Sequence, residues 1–245
     1  MNDSLLMIAC SRGLTYCVRA LIEAGADIDE AGPEEDGFTA LMLSCQEGHE
    51  QCARVLIEAG AAVDHALDDG RTALMAACNF GHEQCARALI EAKAVLDTQN
   101  NGGVTALMLA CNNNHEQCAR ALIKAGAAVD YVDPKGWTAL MTACQGGHEQ
   151  CARALIEAGS AVDMQTNKGF TSLMYSCQNG HELCARALIE AGADVNKEGP
   201  RGFSYLTVAC QKGHEHCARA LIEAKADLHT LNNEGVSALL MACEN

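Results

Sequence analysis

The chain has 245 residues, with 32 acidic and 17 basic side chains and a formal net charge of −15. Nucleic-acid binding needs a basic surface, so this balance argues against it. The sequence has no signal peptide and no apolar run long enough to cross a bilayer. Its fifteen cysteines therefore predict a reducing compartment, the cytoplasm or the nucleus.

The cysteines fall into two columns that repeat along the chain. The first column holds Cys10, Cys45, Cys78, Cys111, Cys144, Cys177, Cys210 and Cys243, and in seven units a second cysteine follows seven residues later. Successive units are 33 residues apart, except for a first step of 35. A fixed period of this kind is the signature of a repeat array. We predict a single array over residues 1–245. Its repeats 1 to 8 start near residues 2, 37, 70, 103, 136, 169, 202 and 235, and the last is incomplete.

Repeat 3 shows how one unit is built. Asp69 and Gly70 predict a turn, because glycine accepts a positive φ at little cost. Thr72 is a natural N-cap for a short apolar helix over residues 73–78. Residues 79–81 should end that helix, and His82 should open the next one.

The second helix of the repeat is amphipathic. Its apolar stripe recurs at helical spacing and holds Cys85, Ala86, Leu89 and Ile90. On the opposite face, Glu83, Arg87 and Glu91 lie four residues apart and can pair. A glycine follows this helix in most repeats, and Lys93 and Lys225 replace it in two. One repeat cannot bury its stripe alone, so neighbours must stack.

The repeated unit, G-x-T-A-L-M-x-x-C-x-x-G-H-E-x-C-A-R-x-L-I-E-A-G-A-x-V-D, resembles the ankyrin repeat, whose pattern runs G-x-T-P-L-H, then G-H, then L-L, then G-A-D-V-N. The match covers the whole chain. The resemblance implies an all-α fold, a solenoid of stacked helix-turn-helix units joined by β-turns or short hairpin loops. It also implies a non-enzymatic module that binds other proteins. Two departures are regular: alanine replaces the family's proline, and methionine replaces its histidine and can fill the space by apolar packing.

Six of the repeats also carry a group such as Cys78, His82 and Cys85, which superficially resembles a zinc site. A structural zinc site normally closes with four ligands, and each of these repeats offers three. By the resemblance, both cysteines take positions that are usually small or apolar. The histidine takes the family's Gly-His turn, where its ring bonds nearby backbone. We therefore interpret all three as packing and turn residues, and we expect no metal, cofactor or catalytic residue.

Disulfide bonds are also disfavoured. Equivalent cysteines on stacked helices should lie roughly 8–10 Å apart, beyond the ~7 Å limit for a bridge. Pairing within one repeat, for example Cys78 with Cys85, stays open.

Two columns are candidates for partner binding. By the resemblance, the amides that follow the first cysteine project onto a concave face, where they can bond an extended peptide: Gln46, Asn79, Asn112, Gln145, Gln178 and Gln211. The alternative is that a helix end simply favours polar residues. The second column lies near the turn tips, and its large side chains are Phe38, Arg71, Trp137, Phe170 and Phe203. Packing against the next turn is the alternative for the aromatics.

Three further residues complete the candidate set, and the turns add a charge pattern. Phe80 stands at the end of a first helix, Asn113 follows Asn112, and Lys135 precedes the turn glycine before Trp137. The early turns are acidic (Glu30, Glu34, Glu35, Asp36, Asp68 and Asp69), whereas later ones carry Lys135, Lys168, Lys197 and Arg201. Such an edge would orient a polar partner, although simple solvation also explains charged turns.

Two other functional interpretations stay open. The chain stops halfway through a repeat, and Leu239 and Leu240 show no polar capping character. This predicts a piece of a longer array, or a substrate-recruiting domain of a larger enzyme or signalling protein. In addition, LIEAGADVN, which ends at Asn196, resembles the site that asparaginyl hydroxylase modifies in ankyrin repeats. We favour a monomer that binds another protein or an extended peptide.

Overall fold

The computed structural model describes residues 5–32 and 37–243. The acidic turn residues Glu34, Glu35 and Asp36 lie outside this part. The chain divides into two compact halves, Met1–Ala128 and Val129–Asn245. No helix in the described ranges is long and apolar enough to cross a membrane.

The first half is a stack of helix pairs. Its helices are α1 (Leu5–Ser11), α2 (Thr15–Glu23), α3 (Ala40–Gln46), α4 (Glu50–Glu58), α5 (Ala73–Phe80), α6 (Glu83–Glu91), α7 (Ala106–Asn112) and α8 (Glu116–Lys124). Each odd-numbered helix packs on the even-numbered helix that follows it. Odd helices also contact the next odd helix, and even helices the next even helix, so the half has two layers.

The second half repeats the arrangement. It contains α9 (Ala139–Gly146), α10 (Glu149–Glu157), α11 (Ser172–Asn179), α12 (Glu182–Glu190), a 3₁₀ turn (Pro200–Gly202), α13 (Tyr205–Gln211), α14 (Glu215–Glu223) and α15 (Ala238–Cys243). The odd helices α9, α11, α13 and α15 again contact one another in order, and so do α10, α12 and α14. The all-α, helix-turn-helix architecture implied by the resemblance is confirmed.

A threonine begins most of the first helices. Thr72 Oγ1 accepts a hydrogen bond from the backbone N–H of Met75 at 3.3 Å, which confirms the predicted N-cap. The same bond is made by Thr39, Thr105, Thr138 and Thr171. Each cap satisfies one of the backbone donors that a helix start leaves without an intrahelical partner.

The loop between the two helices of a repeat depends on its Gly-His pair. Gly180 has φ +75° and ends α11, and a Cβ there would lie 2.6 Å from Nδ1 of His214 in the next repeat. Nε2 of His214 lies 3.1 Å from the carbonyl oxygen of Gln178, and because a carbonyl only accepts, the ring must donate. The ring-to-backbone bond implied for this histidine is confirmed here, and equally at His49, His115 and His181.

Apolar side chains fill the space between the two layers. The methionines that replace the family's histidine are at most 3 % exposed: Met42, Met75, Met108, Met141 and Met174. The expectation that methionine packs here as an apolar residue is therefore confirmed. In contrast, Leu239 and Leu240 of α15 are 72 % and 48 % exposed.

Ion pairs run along the even-numbered helices. Arg87 Nε bonds Glu83 at 2.6 Å, as the four-residue spacing predicts. The second glutamate behaves differently, because Glu91 pairs with Arg54 of the preceding repeat at 2.8 Å. Arg54 also bonds Glu50 of its own helix, so one arginine joins two repeats. Arg153 and Arg186 make the same pair of bonds in the second half.

Candidate functional site

Two cavities open between the turn tips and first helices of neighbouring repeats. One lies between repeats 2 and 3 in the first half and has a volume of about 240 Å³. The other lies between repeats 6 and 7 in the second half and has a volume of about 280 Å³. We call them the repeat 2–3 cavity and the repeat 6–7 cavity.

Residues predicted for partner binding line both cavities. The repeat 2–3 cavity is lined by Phe38, Gln46, Arg71, Asn79 and Phe80 from that set. The repeat 6–7 cavity is lined by Phe170, Gln178, Phe203 and Gln211. Columns that looked separate in the sequence therefore meet, because the end of a first helix approaches the turn of the next repeat.

The two cavities share a framework. Phe38 and Phe170 are 132 residues apart, which is four periods of 33. Met42 and Met174, and Gln46 and Gln178, are related by the same interval and line the same wall. The rest of the lining differs, because Arg71 and Phe80 of the first cavity correspond to Phe203 and Lys212 of the second. Asp69, which bonds Arg71, corresponds to Arg201.

At the repeat 2–3 cavity, the arginine charge is already compensated. Arg71 Cζ lies 5.6 Å from the centroid of the Phe38 ring, while its Nε bonds Asp69 Oδ2 at 2.6 Å. Burial opposes ionisation of Asp69, but hydrogen bonds from the backbone and side chain of Arg71 outweigh it and lower the pKa of this carboxyl. Phe80 is 50 % exposed at the rim. This cavity therefore presents aromatic surface without a free cation.

At the repeat 6–7 cavity, two cations stand at the rim. Arg201 and Lys212 are exposed, and neither has an ion-pair partner within residues 5–32 and 37–243. The apolar part of the lining is Phe170, Met174, Phe203 and Val208. No acidic residue lines this cavity.

Between repeats 5 and 6, a tyrosine takes the corresponding space. Tyr175 occupies the same position of its repeat as Ala76 and Val208. It follows Ala76 by 99 residues, which is three periods, and precedes Val208 by 33 residues, which is one period. Its ring stacks on Trp137 at 4.6 Å and on Phe170 at 5.3 Å. Ala76 and Val208 line cavities at this position, whereas the ring of Tyr175 fills the corresponding space. Sequence reasoning missed Tyr175, although it is the one aromatic residue in a column that otherwise holds aliphatic residues, methionine and threonine.

Several predicted amides bond within the protein. Asn113 Nδ2 donates to the Asn79 carbonyl at 3.1 Å and to Asn79 Oδ1 at 2.9 Å, and Asn112 donates to Asn113 at 3.0 Å. Gln145 is exposed, and its carbonyl accepts from His181. Lys135 is exposed, and its carbonyl accepts from the Asn167 backbone at 2.9 Å.

Asn196 has a structural bond as well as an exposed position. Its Oδ1 accepts a hydrogen bond from the backbone N–H of Asp227 in the next repeat at 2.8 Å. Aspartates make the equivalent bond in the earlier repeats: Asp29, Asp64, Asp97, Asp130 and Asp163. Asn196 therefore belongs to a row of side chains that fixes one repeat against the next.

The cysteines approach one another between repeats, in a register that sequence reasoning did not consider. Cys45 interacts with Cys85, and Cys78 with Cys118, so a first cysteine lies near the second cysteine of the next repeat. Cys85 Sγ itself donates to the Ser44 carbonyl at 3.9 Å. The interaction with Cys85, together with burial, holds the pKa of the Cys45 thiol well above its ordinary value. The described cysteines are free thiols. Within the described ranges, no three His, Cys, Asp or Glu side chains lie close enough together to hold a metal ion.

These features define a protein of paired-helix repeats whose variable surface lies at the turn tips and first-helix ends. A family model described as ankyrin repeats in three copies matches residues 1–66, 60–133 and 122–199. A second, described as ankyrin repeats in many copies, matches residues 206–245. The chain belongs to the ankyrin-repeat family.

Solved structures agree with this assignment. The ankyrin repeat domain of human ASB11 is 25% identical with a TM-score of 0.81, and the match covers 92% of this chain and 99% of that one. The ankyrin repeat domain of Bcl-3, a member of the IkappaB protein family, is 26% identical with a TM-score of 0.76, covering 90% and 98%. No curated protein sequence matches the chain significantly.

Proposed function

We propose that this chain is a non-enzymatic module that binds a segment of a partner protein through its first-helix ends and turn tips. The observation that carries the proposal is the convergence of the predicted binding residues on two cavities at equivalent positions of the repeat. Ankyrin-repeat domains generally act in protein–protein interaction, which agrees with this proposal.

The size of the cavities favours single side chains as occupants. At about 240 and 280 Å³, both are smaller than the roughly 300–1,000 Å³ of typical small-molecule sites. Each would take one apolar or aromatic side chain of a partner, while the amides Gln46 and Gln178 face the partner backbone. Buried aromatic anchors of this kind carry much of the energy at protein interfaces.

The proposal has several further parts. The partner is another protein or an extended peptide and not a nucleic acid, because the chain is strongly acidic. The free thiols support a reducing compartment, the cytoplasm or nucleus. We propose a monomer, and Asn196 as a residue open to hydroxylation. A substrate-recruiting role within a larger enzyme would use the same surface, so the test below serves both.

The experiment closes the cavities with a residue that the fold already accepts. Ala76→Tyr and Val208→Tyr copy Tyr175 in the repeat 2–3 and repeat 6–7 cavities. Peptides selected from a random display library on the wild-type chain should lose most of their binding, about tenfold or more, to the double variant. Gln84→Tyr, on the exposed face of α6, is the control and should bind normally. Selected peptides that bind the double variant as well as the wild type would refute the proposal.

A further inference from the structure

We infer that the repeat 6–7 cavity binds an acidic segment that carries one apolar side chain. The apolar side chain would enter the cavity, and neighbouring carboxylates would pair with Arg201 and Lys212. This inference rests on the proposed function and specifies the class of partner.

The first reason is the apolar interior of the cavity. Phe170, Met174, Phe203 and Val208 line it, and their exposed surface would be removed from water by an apolar occupant. The cavity is closed on one side by the half-buried Phe170 ring, which is fixed by its stack on Tyr175. An aliphatic or aromatic side chain is the chemistry that such a space accepts.

The second reason is charge. In a chain with a net charge of −15, this cavity is lined by two cations and by no carboxylate. Glu198, two residues before Pro200, is exposed and does not line it. Arg201 and Lys212 lack an ion-pair partner among the described residues, so both are available to a ligand. Arginine in particular binds carboxylates through two parallel hydrogen bonds.

The third reason is that hydrogen bonds fix the backbone of Arg201 and Lys212, from which the two charged side chains extend. Arg201 has φ +60° in the turn Pro200–Gly202, and its carbonyl accepts from the backbone N–H of Asn233 at 3.0 Å. Lys212 is the C-cap residue that follows α13, and its N–H bonds the Val208 carbonyl at 3.1 Å. A site with a fixed backbone loses less conformational entropy when it binds.

The repeat 2–3 cavity lacks this charge and serves as an internal comparison. In the first half, Asp69 is the residue equivalent to Arg201, and Phe80 is the residue equivalent to Lys212. Its one lining cation, Arg71, is already bonded to Asp69. Acidic ligands should therefore prefer the repeat 6–7 cavity.

The test uses the full chain and three fluorescein-labelled peptides of about twelve residues. One peptide carries a central phenylalanine between Asp and Glu residues, the second replaces the acids by lysine, and the third keeps the acids and replaces phenylalanine by alanine. Fluorescence anisotropy should show binding of the first peptide at least about tenfold tighter than of the other two, and weaker binding at higher salt. A single-stranded oligothymidine of similar length is the competing anion, and it should bind more weakly than the first peptide.

The variants assign the site. Arg201→Glu with Lys212→Glu should weaken binding of the first peptide about tenfold or more, and Val208→Tyr should weaken it similarly. Arg19→Glu with Lys124→Glu makes the same change in net charge at exposed positions of the first half and should leave binding unchanged. Circular dichroism of each variant verifies the fold.

The outcomes separate this inference from the proposed function. Failure of the first peptide to bind, equal binding of the lysine peptide, stronger binding of the oligothymidine, or insensitivity to Val208→Tyr or to the charge reversals would each overturn the inference. Display-selected peptides that lose binding to the cavity-closing double variant would still uphold the proposed function. If the display-selected peptides also bind the double variant as tightly as the wild type, both the inference and the proposed function are wrong.

Discussion

The Trp137 ring lies 4.6 Å from the Tyr175 ring, at an interplanar angle of 27°. The two residues come from neighbouring repeats, so their stack joins the turn tip of repeat 5 to α11, the first helix of repeat 6. Trp137 is half-buried by this contact. It is therefore both a candidate contact for a partner and a packing residue.

We expect this stack to contribute to stability. Trp137→Ala should lower the free energy of unfolding by about 1–2 kcal/mol, because it removes part of a buried aromatic surface. A double-mutant cycle with Tyr175→Ala should give a coupling of about 0.5–1.5 kcal/mol in urea denaturation. Tyr175→Phe keeps the ring and is the control. A coupling near zero would mean that the two rings do not support each other.

Much of the fold follows from one repeat read in isolation. Thr72 as a cap, Gly81 as the left-handed residue that ends α5, and the ring-to-backbone bond of the Gly-His turn all depend on residues close in sequence or on the family pattern. The contacts between neighbouring repeats cannot be predicted in this way. The Cys45–Cys85 interaction, the Arg54–Glu91 pair and the filling of a cavity by Tyr175 each join residues 37 to 40 apart. The period alone does not fix which of these positions meet.

The Gly-His contact gives a second prediction. Gly180→Ala should cost roughly 2–4 kcal/mol, because alanine is strained at φ +75° and its Cβ would displace His214 from the Gln178 carbonyl. Gly192→Ala has a similar φ of +87° with no atom within 4 Å of the added Cβ, so it should cost only ~1 kcal/mol. Thermal and urea unfolding of both variants measure the difference. Equal losses would show that the histidine contact contributes nothing.

Burial predicts the order in which the thiols react. Of the fourteen cysteines whose side chains the structure describes, Cys17 is exposed, Cys210 is partly exposed, and the other twelve are buried. Iodoacetamide should therefore label Cys17 first in the native chain, because the reagent cannot reach a buried thiol. Peptide mapping by mass spectrometry gives the order, and Cys17→Ser should remove the fast phase. Labelling of Cys78 or Cys144 at the rate of Cys17 would contradict the packing described here.

The same burial predicts a loss of stability at alkaline pH. Desolvation raises the pKa of Cys10 from its ordinary value of 9.0 to about 11, so the folded state holds a proton that the unfolded state releases earlier. The resulting stabilisation is complete below pH 9 and is lost as the pH rises from 9 toward 11. Wild-type chain should lose more unfolding free energy between pH 8 and pH 10.5 than Cys10→Ala does. Identical pH profiles for the two chains would refute this assignment.

The bond between Asn196 and the next repeat gives the last prediction. Asn196→Ala removes the acceptor for the Asp227 N–H, and should lower the free energy of unfolding by about 1 kcal/mol. Asn196→Asp should be close to neutral, because aspartate makes this bond at Asp163 and in the other repeats that carry it.

Hydroxylation at Cβ keeps the amide oxygen, so modified chain should be as stable as unmodified chain. Peptide mass spectrometry of the natively expressed protein should show the peptide that contains Asn196 heavier by one oxygen atom. An unmodified peptide would refute the hydroxylation, and a stable Asn196→Ala chain would refute the structural role of the bond.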